Sequence, residues 1–120
     1  MGATSSTQMQ DDPVVRTCCN VENMASMPGG WRDLTQTEWA QHQGMLDDWI
    51  ASILTDHDLS YQDVQIVRVS RQLVNGFNWC IVFEAPRNGP RYAIRVYQSF
   101  FKGGTAPDGE ITGFTRCPNN

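Results

Sequence analysis

The 120-residue sequence contains few charged side chains and almost no lysine. Charged residues make up 18% of the chain, and Lys102 is the only lysine. The 9 basic and 13 acidic residues give a formal net charge of −4 at pH 7. Nucleic acids and anionic membranes attract proteins of the opposite charge, so neither is expected as a partner.

Long apolar runs are also missing. No stretch approaches the roughly 18 to 20 consecutive apolar residues of a transmembrane helix. The first 13 residues lack the basic and apolar regions of a secretory signal. A cytoplasmic protein is therefore expected, or else a secreted protein whose signal has been removed. A hydrophobic fraction of 40% in a chain of this length predicts one folded domain.

The four cysteines do not follow a metal-binding spacing. Cys18 and Cys19 are adjacent, whereas Cys80 and Cys117 lie far apart. Free thiols in a reducing compartment are the simplest interpretation. The sequence after Met1 also matches the loose pattern for myristoylation of Gly2, with Cys18 and Cys19 as sites of a second acyl group. A match this short is more often fortuitous.

Groups that could perform catalysis are scarce. The only histidines are His42 and His57, and a nucleophilic pair would have to join one of them to Cys80. Cys80 lies in an apolar run, which is typical of an inert strand cysteine. Asp56-His57-Asp58 is typical of a solvated loop, because three consecutive residues rarely converge on one metal ion. We therefore expect a protein that is not an enzyme and that uses no cofactor or metal.

Two segments of different character follow one another along the chain. Residues 1–26 are polar and show no periodicity, which predicts a flexible N-terminal extension. Residues 27–120 form the predicted domain. Thr35 and Glu38 match a capping box, and apolar residues recur from there at helical spacing. This predicts one amphipathic helix that ends at about Leu54.

Four β-rich runs follow the helix, separated by turn signals that contain Asn, Gly and Pro. They are residues 64–74, 77–85, 92–101 and 110–117. Short connections between consecutive strands predict antiparallel pairing. The fold class is therefore α+β, an antiparallel meander of about four to five strands wrapped around one amphipathic helix.

Apolar residues occur at turns, where polar residues are usual. The three segments with this property are Met27-Pro28-Gly29-Gly30 before the helix, Gln72-Leu73-Val74-Asn75-Gly76 at the first hairpin, and Phe100-Phe101 at the next turn on that end. Together they favour a contact surface. The alternative is that Leu73 and Val74 simply complete a strand and that Phe100 packs on the helix.

These three segments resemble those that identify the cystatin family. The family has a glycine ahead of its helix, then a hairpin of the form Gln-x-Val-x-Gly, then a second hairpin with a bulky residue. Residues 64–85 and 91–100 are similar to its central strands, and residues 110–114 resemble the end of its intracellular, stefin-like branch. The resemblance implies the cystatin fold. Since the stefin-like branch has no disulfides, it also implies no bridge between Cys80 and Cys117.

The resemblance further implies a function. Cystatins are reversible, tight-binding inhibitors of papain-like (C1) cysteine proteases of the cathepsin L and B type. An N-terminal arm and two hairpin loops enter the protease cleft as a wedge. The implied protease-binding residues here are Met27, Pro28, Gly29, Gly30, Gln72, Leu73, Val74, Asn75, Gly76, Phe100 and Phe101.

Each of these segments has an implied task. Met27 and Pro28 would occupy substrate pockets, Gly29 would let the arm turn away, and Phe100 and Phe101 would rest on the far side of the cleft. The alternative function is a non-inhibitory cystatin-fold module that binds another protein through the same hairpins. A monomer is expected, with domain swapping through the first hairpin as the other state.

Overall fold

The computed structural model describes residues 18–19, 30–59, 62–99 and 109–117, and it contains one five-stranded antiparallel sheet with helix on one side. In chain order the elements are β1 (Trp31–Asp33), α1 (Gln36–Ala40), α2 (Gln43–Asp56), β2 (Gln65–Val74), β3 (Gly76–Glu84), β4 (Arg91–Gln98) and β5 (Gly109–Arg116). The strands lie in the order β1-β2-β3-β4-β5. The predicted α+β class and antiparallel meander are confirmed.

The predicted single helix is divided in two. The capping box is present, since the Glu38 amide donates to Thr35 Oγ1 at 3.2 Å and the Thr35 amide donates to Glu38 Oε1 at 2.8 Å. After Ala40 the His42 amide donates to the Trp39 carbonyl, three residues back. This tighter turn ends α1, and α2 begins immediately after His42.

The strands begin and end close to their predicted positions, with two differences. The predicted fourth-strand run reached residue 101, but β4 ends at Gln98. The other difference is β1, which the sequence did not predict and which pairs with residues 70–72 of β2. Three residues are too few to produce a recognisable alternation of polar and apolar side chains.

One face of the sheet packs on the helix and carries the main core. α2 contributes five buried apolar side chains at helical spacing, which are Leu46, Trp49, Ile50, Ile53 and Leu54. The sheet contributes alternate residues of β3 and β4 together with Val69 and Phe114, the β3 residues being Trp79, Ile81 and Phe83. The predicted amphipathic face is thus the face that is buried. None of the described helices is long and apolar enough to cross a lipid bilayer.

The opposite face, called here the back face, carries a second apolar cluster. Its buried members are Cys18, Trp31, Cys80, Val82, Ala93 and Cys117. Two disulfides join this cluster, Cys18 to Cys80 and Cys19 to Cys117, each with a Cα–Cα distance of 5.5 Å. Two residues of the predicted extension are therefore covalently attached to the sheet.

The expectation of free thiols was wrong. All four cysteines are in disulfides, so Cys18 and Cys19 are not available for acylation. The adjacency of Cys18 and Cys19 and the wide spacing of Cys80 and Cys117 favoured free thiols, but the bridged pairs are 62 and 98 residues apart in the sequence. The fold removes this separation, because the chain near Cys18 lies on the back face, where Cys80 of β3 and Cys117 after β5 both project. The absence of a bridge between Cys80 and Cys117 is confirmed, although both residues have other partners.

The sequence did carry a signal for this covered back face. Residues 79–83 of β3 are all buried, and none of them has a charged or strongly polar side chain. A strand with one solvated face alternates polar and apolar residues, whereas a continuous apolar run indicates cover on both faces. The run predicts that something other than the helix packs against β3.

Removal of the disulfides is expected to destabilise the protein strongly. Replacing Cys18 and Cys19 together with Ser should lower the free energy of unfolding by at least about 2–5 kcal/mol, since each native disulfide of a small domain contributes an amount of that order. Urea unfolding of the oxidised proteins measures the difference.

A thiol titration provides the control. The denatured but unreduced wild type should yield no free thiol, and deleting residues 1–17 should leave this result unchanged. Finding two or more free thiols in the wild type would contradict the proposed pairing.

Candidate functional site

The β2–β3 hairpin is closed very tightly around Gly76. Val74 pairs with Gly76 in the strand register, so that Asn75 alone lies between them. Gly76 has a φ of +127°, and a Cβ there would lie 2.5 Å from the carbonyl oxygen of Gln98 and 3.0 Å from the Tyr97 hydroxyl. Only glycine fits this position without strain or a clash with β4.

The neighbouring strand holds the tip of this hairpin. The Tyr97 hydroxyl of β4 donates a hydrogen bond to the carbonyl oxygen of Asn75. Two residue pairs in from Val74 and Gly76, the Asn78 side-chain amide donates to Gln72 Oε1 at 2.8 Å. The tip therefore has support from its own two strands and from β4. The sequence did not predict this role of Tyr97, because nothing in its local pattern distinguishes it from any other strand tyrosine.

The apolar residues of the tip face solvent. Leu73 is 65% exposed and Val74 is 42% exposed, and among the described residues Leu59 is the other large hydrophobic residue with comparable exposure, at 36%. The alternative interpretation of these residues is half correct. Leu73 and Val74 do complete strand β2, but neither is buried by doing so.

The N-terminal segment meets the hairpin through β1. Trp31 pairs directly with Gln72, which brings the exposed Gly30, with a φ of +80°, to the hairpin end of the sheet. Trp31 itself is buried on the back face, where the guanidinium carbon of Arg95 lies over its ring, 5.5 Å from the ring centroid. The predicted residues Met27, Pro28 and Gly29 lie outside the described residues.

The connection between β4 and β5 starts at the same end. Phe77 of β3 pairs with Gln98 of β4, and Gln98 pairs with Gly109 of β5. Ser99 and Gly109 therefore flank this connection beside the hairpin tip. The predicted residues Phe100 and Phe101 lie outside the described residues, but the strand ends on either side of that connection are at the hairpin end.

The ends of β4 and β5 rest on a rigid aromatic base. Trp79 Nε1 donates to Gln98 Oε1 at 3.1 Å, and Gln98 Nε2 contacts Met45 Sδ of α2 at 3.3 Å. Trp79 and Trp49 meet edge to face with their centroids 5.7 Å apart. Gly109 approaches Trp49 so closely that a Cβ would overlap its ring. We call this end, from Gly30 across the hairpin to Ser99 and Gly109, the hairpin edge.

A polar cluster fixes the other end of β1. Asp33 accepts hydrogen bonds from Arg68 Nε at 2.9 Å, from the Arg68 guanidinium a second time, and from the Ser70 hydroxyl. Burial on its own raises the pKa of Asp33, but the hydrogen bonds from Arg68 and Ser70 outweigh it and lower the pKa below its usual value. The charged carboxylate is the form that holds β1 to β2.

The residues considered for catalysis are not brought together. Cys80 is disulfide-bonded and has no thiolate to offer as a nucleophile. The His42 ring packs edge-on against Trp79 at 5.5 Å, while the His57 ring lies 4.6 Å from that of Phe114. Within the described part of the chain, no three His, Cys, Asp or Glu side chains are grouped so as to hold a metal ion.

Comparisons of the chain with protein-family models, with curated proteins and with solved structures gave no match.

Substitution of Gly76 should test the hairpin geometry. Gly76→Ala is expected to lower the free energy of unfolding by about 2 kcal/mol or more, because the added Cβ combines an unfavourable φ with a clash against β4. Thermal or urea unfolding measures this change.

Gly44→Ala is the matched control. Gly44 lies in the first turn of α2, and among the described residues nothing is within 4 Å of a Cβ placed there. The free energy of unfolding of Gly44→Ala should equal that of the wild type or exceed it by up to about 1 kcal/mol. Equal effects of the two substitutions would contradict the role assigned to Gly76.

The Asp33 cluster predicts a dependence of stability on pH. Because the folded-state pKa is below the unfolded-state value of about 3.9, the carboxylate stabilises the fold above that value and loses this effect as the pH falls through the folded-state pKa. Asp33→Asn should be less stable than the wild type at pH 7, and the difference should narrow between pH 5 and pH 2.

Urea unfolding across this pH range measures both proteins, and Asp48→Asn on the exposed side of α2 serves as the control. A constant difference between Asp33→Asn and the wild type at every pH would show that the charge of Asp33 is not what matters.

Proposed function

We propose that the protein is a reversible, tight-binding inhibitor of papain-like cysteine proteases and that the hairpin edge enters the protease cleft. The observation that carries this proposal is the solvent-exposed pair Leu73 and Val74 on a hairpin tip that is fixed by Gly76 and Tyr97. Exposed apolar side chains on a rigid tip are unusual for a connecting turn and are suited to a concave, largely apolar site.

The physics of the hairpin edge supports inhibition without covalent chemistry. A wedge that is rigid before binding loses little conformational entropy on docking, so more of the contact free energy appears as affinity. The tip presents no nucleophile or electrophile, and blocking of the cleft by contact alone gives reversible inhibition. The resemblance of the pentapeptide ending in Gly76 to the cystatin hairpin gives the protease class.

The disulfides change which members of the family are relevant. The stefin-like branch has none, and secreted cystatins carry theirs in the C-terminal half, whereas here each disulfide joins the segment at Cys18 and Cys19 to the sheet. The proposal therefore rests on resemblance to the family as a whole. Since disulfides persist in oxidising environments, we place the protein there in preference to the cytoplasm.

Titration against papain and a cathepsin L-type protease tests the proposal. The wild type should inhibit at nanomolar concentration, and Leu73→Asp should raise the inhibition constant about 30-fold or more, as expected when an apolar contact at the centre of an interface is lost. Leu59→Asp makes the same chemical change at an exposed leucine beyond the C-terminus of α2. It should inhibit like the wild type.

A second substitution tests the arm separately. Gly29→Trp should also weaken inhibition strongly if the arm turns away from the protease at that residue. A folded wild type that inhibits neither protease would overturn the proposal and favour the non-inhibitory module on the same edge. Equal loss in Leu73→Asp and Leu59→Asp would show that inhibition does not depend on the hairpin tip.

A further inference from the structure

Arg71 has an unusual position two residues before the exposed Leu73. It lies on the helix side of β2, where its guanidinium carbon is 4.4 Å from the ring centroid of Phe77 and 5.2 Å from that of Trp79. Side chains two residues apart on a strand share a face, and Leu73 pairs directly with Phe77. The arginine therefore borders the apolar tip on its helix side.

Among the described residues Arg71 forms no ion pair, and Glu38 acts on it only through its charge. Arg32 lies directly opposite in the β1–β2 register, and the acidic neighbour, Glu38, forms an ion pair with Arg32 at 3.2 Å and caps α1 through Thr35. Within the described ranges, no carboxylate pairs with Arg71 and no acceptor receives a hydrogen bond from it. Its contacts there are the two aromatic faces.

This arrangement opposes stability in two ways. Like charges directly opposite each other in a sheet repel. Burial lowers the pKa of Arg71, the charge of Arg32 lowers it further, and the opposing charge of Glu38 is too weak to reverse the shift. A guanidinium nevertheless remains protonated in proteins, so the cost is not relieved by loss of the proton. The aromatic faces compensate in part through cation–π attraction. They place the guanidinium beside two rings, and within the described part of the chain no hydrogen-bond acceptor receives its N–H groups.

We propose that Arg71 is a carboxylate-binding residue of the hairpin edge, which receives an Asp or Glu side chain of the partner protein beside the Leu73 contact. This inference rests on the proposed function and adds the chemistry that the partner must supply. An oriented guanidinium binds a carboxylate through two parallel hydrogen bonds, and arginines next to apolar anchors are frequent among the residues that dominate binding energy.

The surroundings favour a protein carboxylate over a phosphate-rich ligand. The chain has a net charge of −4, which repels polyanions at long range. The adjacent Leu73 and the half-buried Phe77 offer apolar contact, which a protein surface can match. A single fork in such a setting fits one acidic side chain at the margin of an apolar cleft.

The experiment compares inhibition of papain by four proteins. These are the wild type, Arg71→Met, Arg71→Glu and the control Arg116→Glu. Methionine keeps an apolar stem over Phe77 but has no charge. Arg116 is exposed on β5 at the opposite end of the sheet. Arg116→Glu changes the net charge by the same amount as Arg71→Glu but away from the hairpin edge. Arg71→Met should raise the inhibition constant about 10-fold and Arg71→Glu about 100-fold, while Arg116→Glu should stay within about 3-fold of the wild type.

Two further measurements separate binding from packing. In thermal unfolding Arg71→Met should melt no lower than the wild type, because Arg71 opposes stability in the free protein and its favourable interaction is made with the partner. A set of papain variants is tested in which one Asp or Glu at the margin of the cleft is changed to Asn or Gln. Against one of these variants, Arg71→Met and the wild type should inhibit equally. This loss of discrimination identifies the partner carboxylate.

The possible failures are distinguishable. If the wild type inhibits and both Arg71 variants inhibit equally well, or if their weaker inhibition follows loss of folding, the carboxylate site is overturned and the proposed function stands. If the folded wild type inhibits neither papain nor a cathepsin L-type protease, both are overturned. If no papain variant removes the difference, Arg71 does not bind a carboxylate.

Discussion

The burial of β3 on both faces is the constraint on which the rest of the structure depends. On one side Trp79, Ile81 and Phe83 pack against α2. On the other side Cys80 and Val82 are covered by the segment at Cys18. A central strand fixed in this way cannot slip by one residue, since a slip would exchange the two sets of side chains. Its first residue, Gly76, is consequently fixed as well.

The hairpin edge obtains its geometry from this register. Each pairing along the sheet transfers the position of β3 to a neighbour, so that Trp31, Gln72, Asn78 and Tyr97 lie in one row across four strands. Gly30, the hairpin tip and the end of β4 then meet at one end because of strand order and length. This geometry leaves the apolar side chains of Leu73 and Val74 exposed to solvent, which is unfavourable in the free protein. The exposure is explained if the tip contacts a partner.

The sequence predicted most of the fold because its signals were periodic or locally chemical. The capping box at Thr35, the helical stripe of α2 and the turn at Asn75 and Gly76 each depend on neighbours in the chain. What it could not predict depends on distant parts of the chain meeting. The pairing of Cys18 with Cys80, the hydrogen bond from Tyr97 to Asn75 and the short strand β1 have no local pattern, because each partner acquires its meaning only when the sheet has formed.

The candidate site, too, could be predicted from the sequence only in part. The pentapeptide from Gln72 to Gly76 could be found because glycine at a tight turn and apolar residues beside it are visible in one line of sequence. Arg71 could not, because an arginine in a strand next to a hairpin is ordinary until its neighbours are known. Its direct opposition to Arg32, and the engagement of Glu38 elsewhere, follow from the β1–β2 register and the helix cap together.

The disulfides also alter how the N-terminal arm would act in a wedge. Cys19 is fixed to Cys117, and Gly30 directly precedes β1, so the described chain is anchored to the sheet at two points on either side of the proposed arm. A segment closed at both ends has fewer conformations available than a free terminus. It therefore loses less entropy when it is ordered in a complex. Reduction would break the bridge from Cys18 to Cys80 of β3 as well as the bridge from Cys19 to Cys117. It should therefore weaken the arm's contact with a protease and the cover over β3 together, because the same two-residue segment serves both.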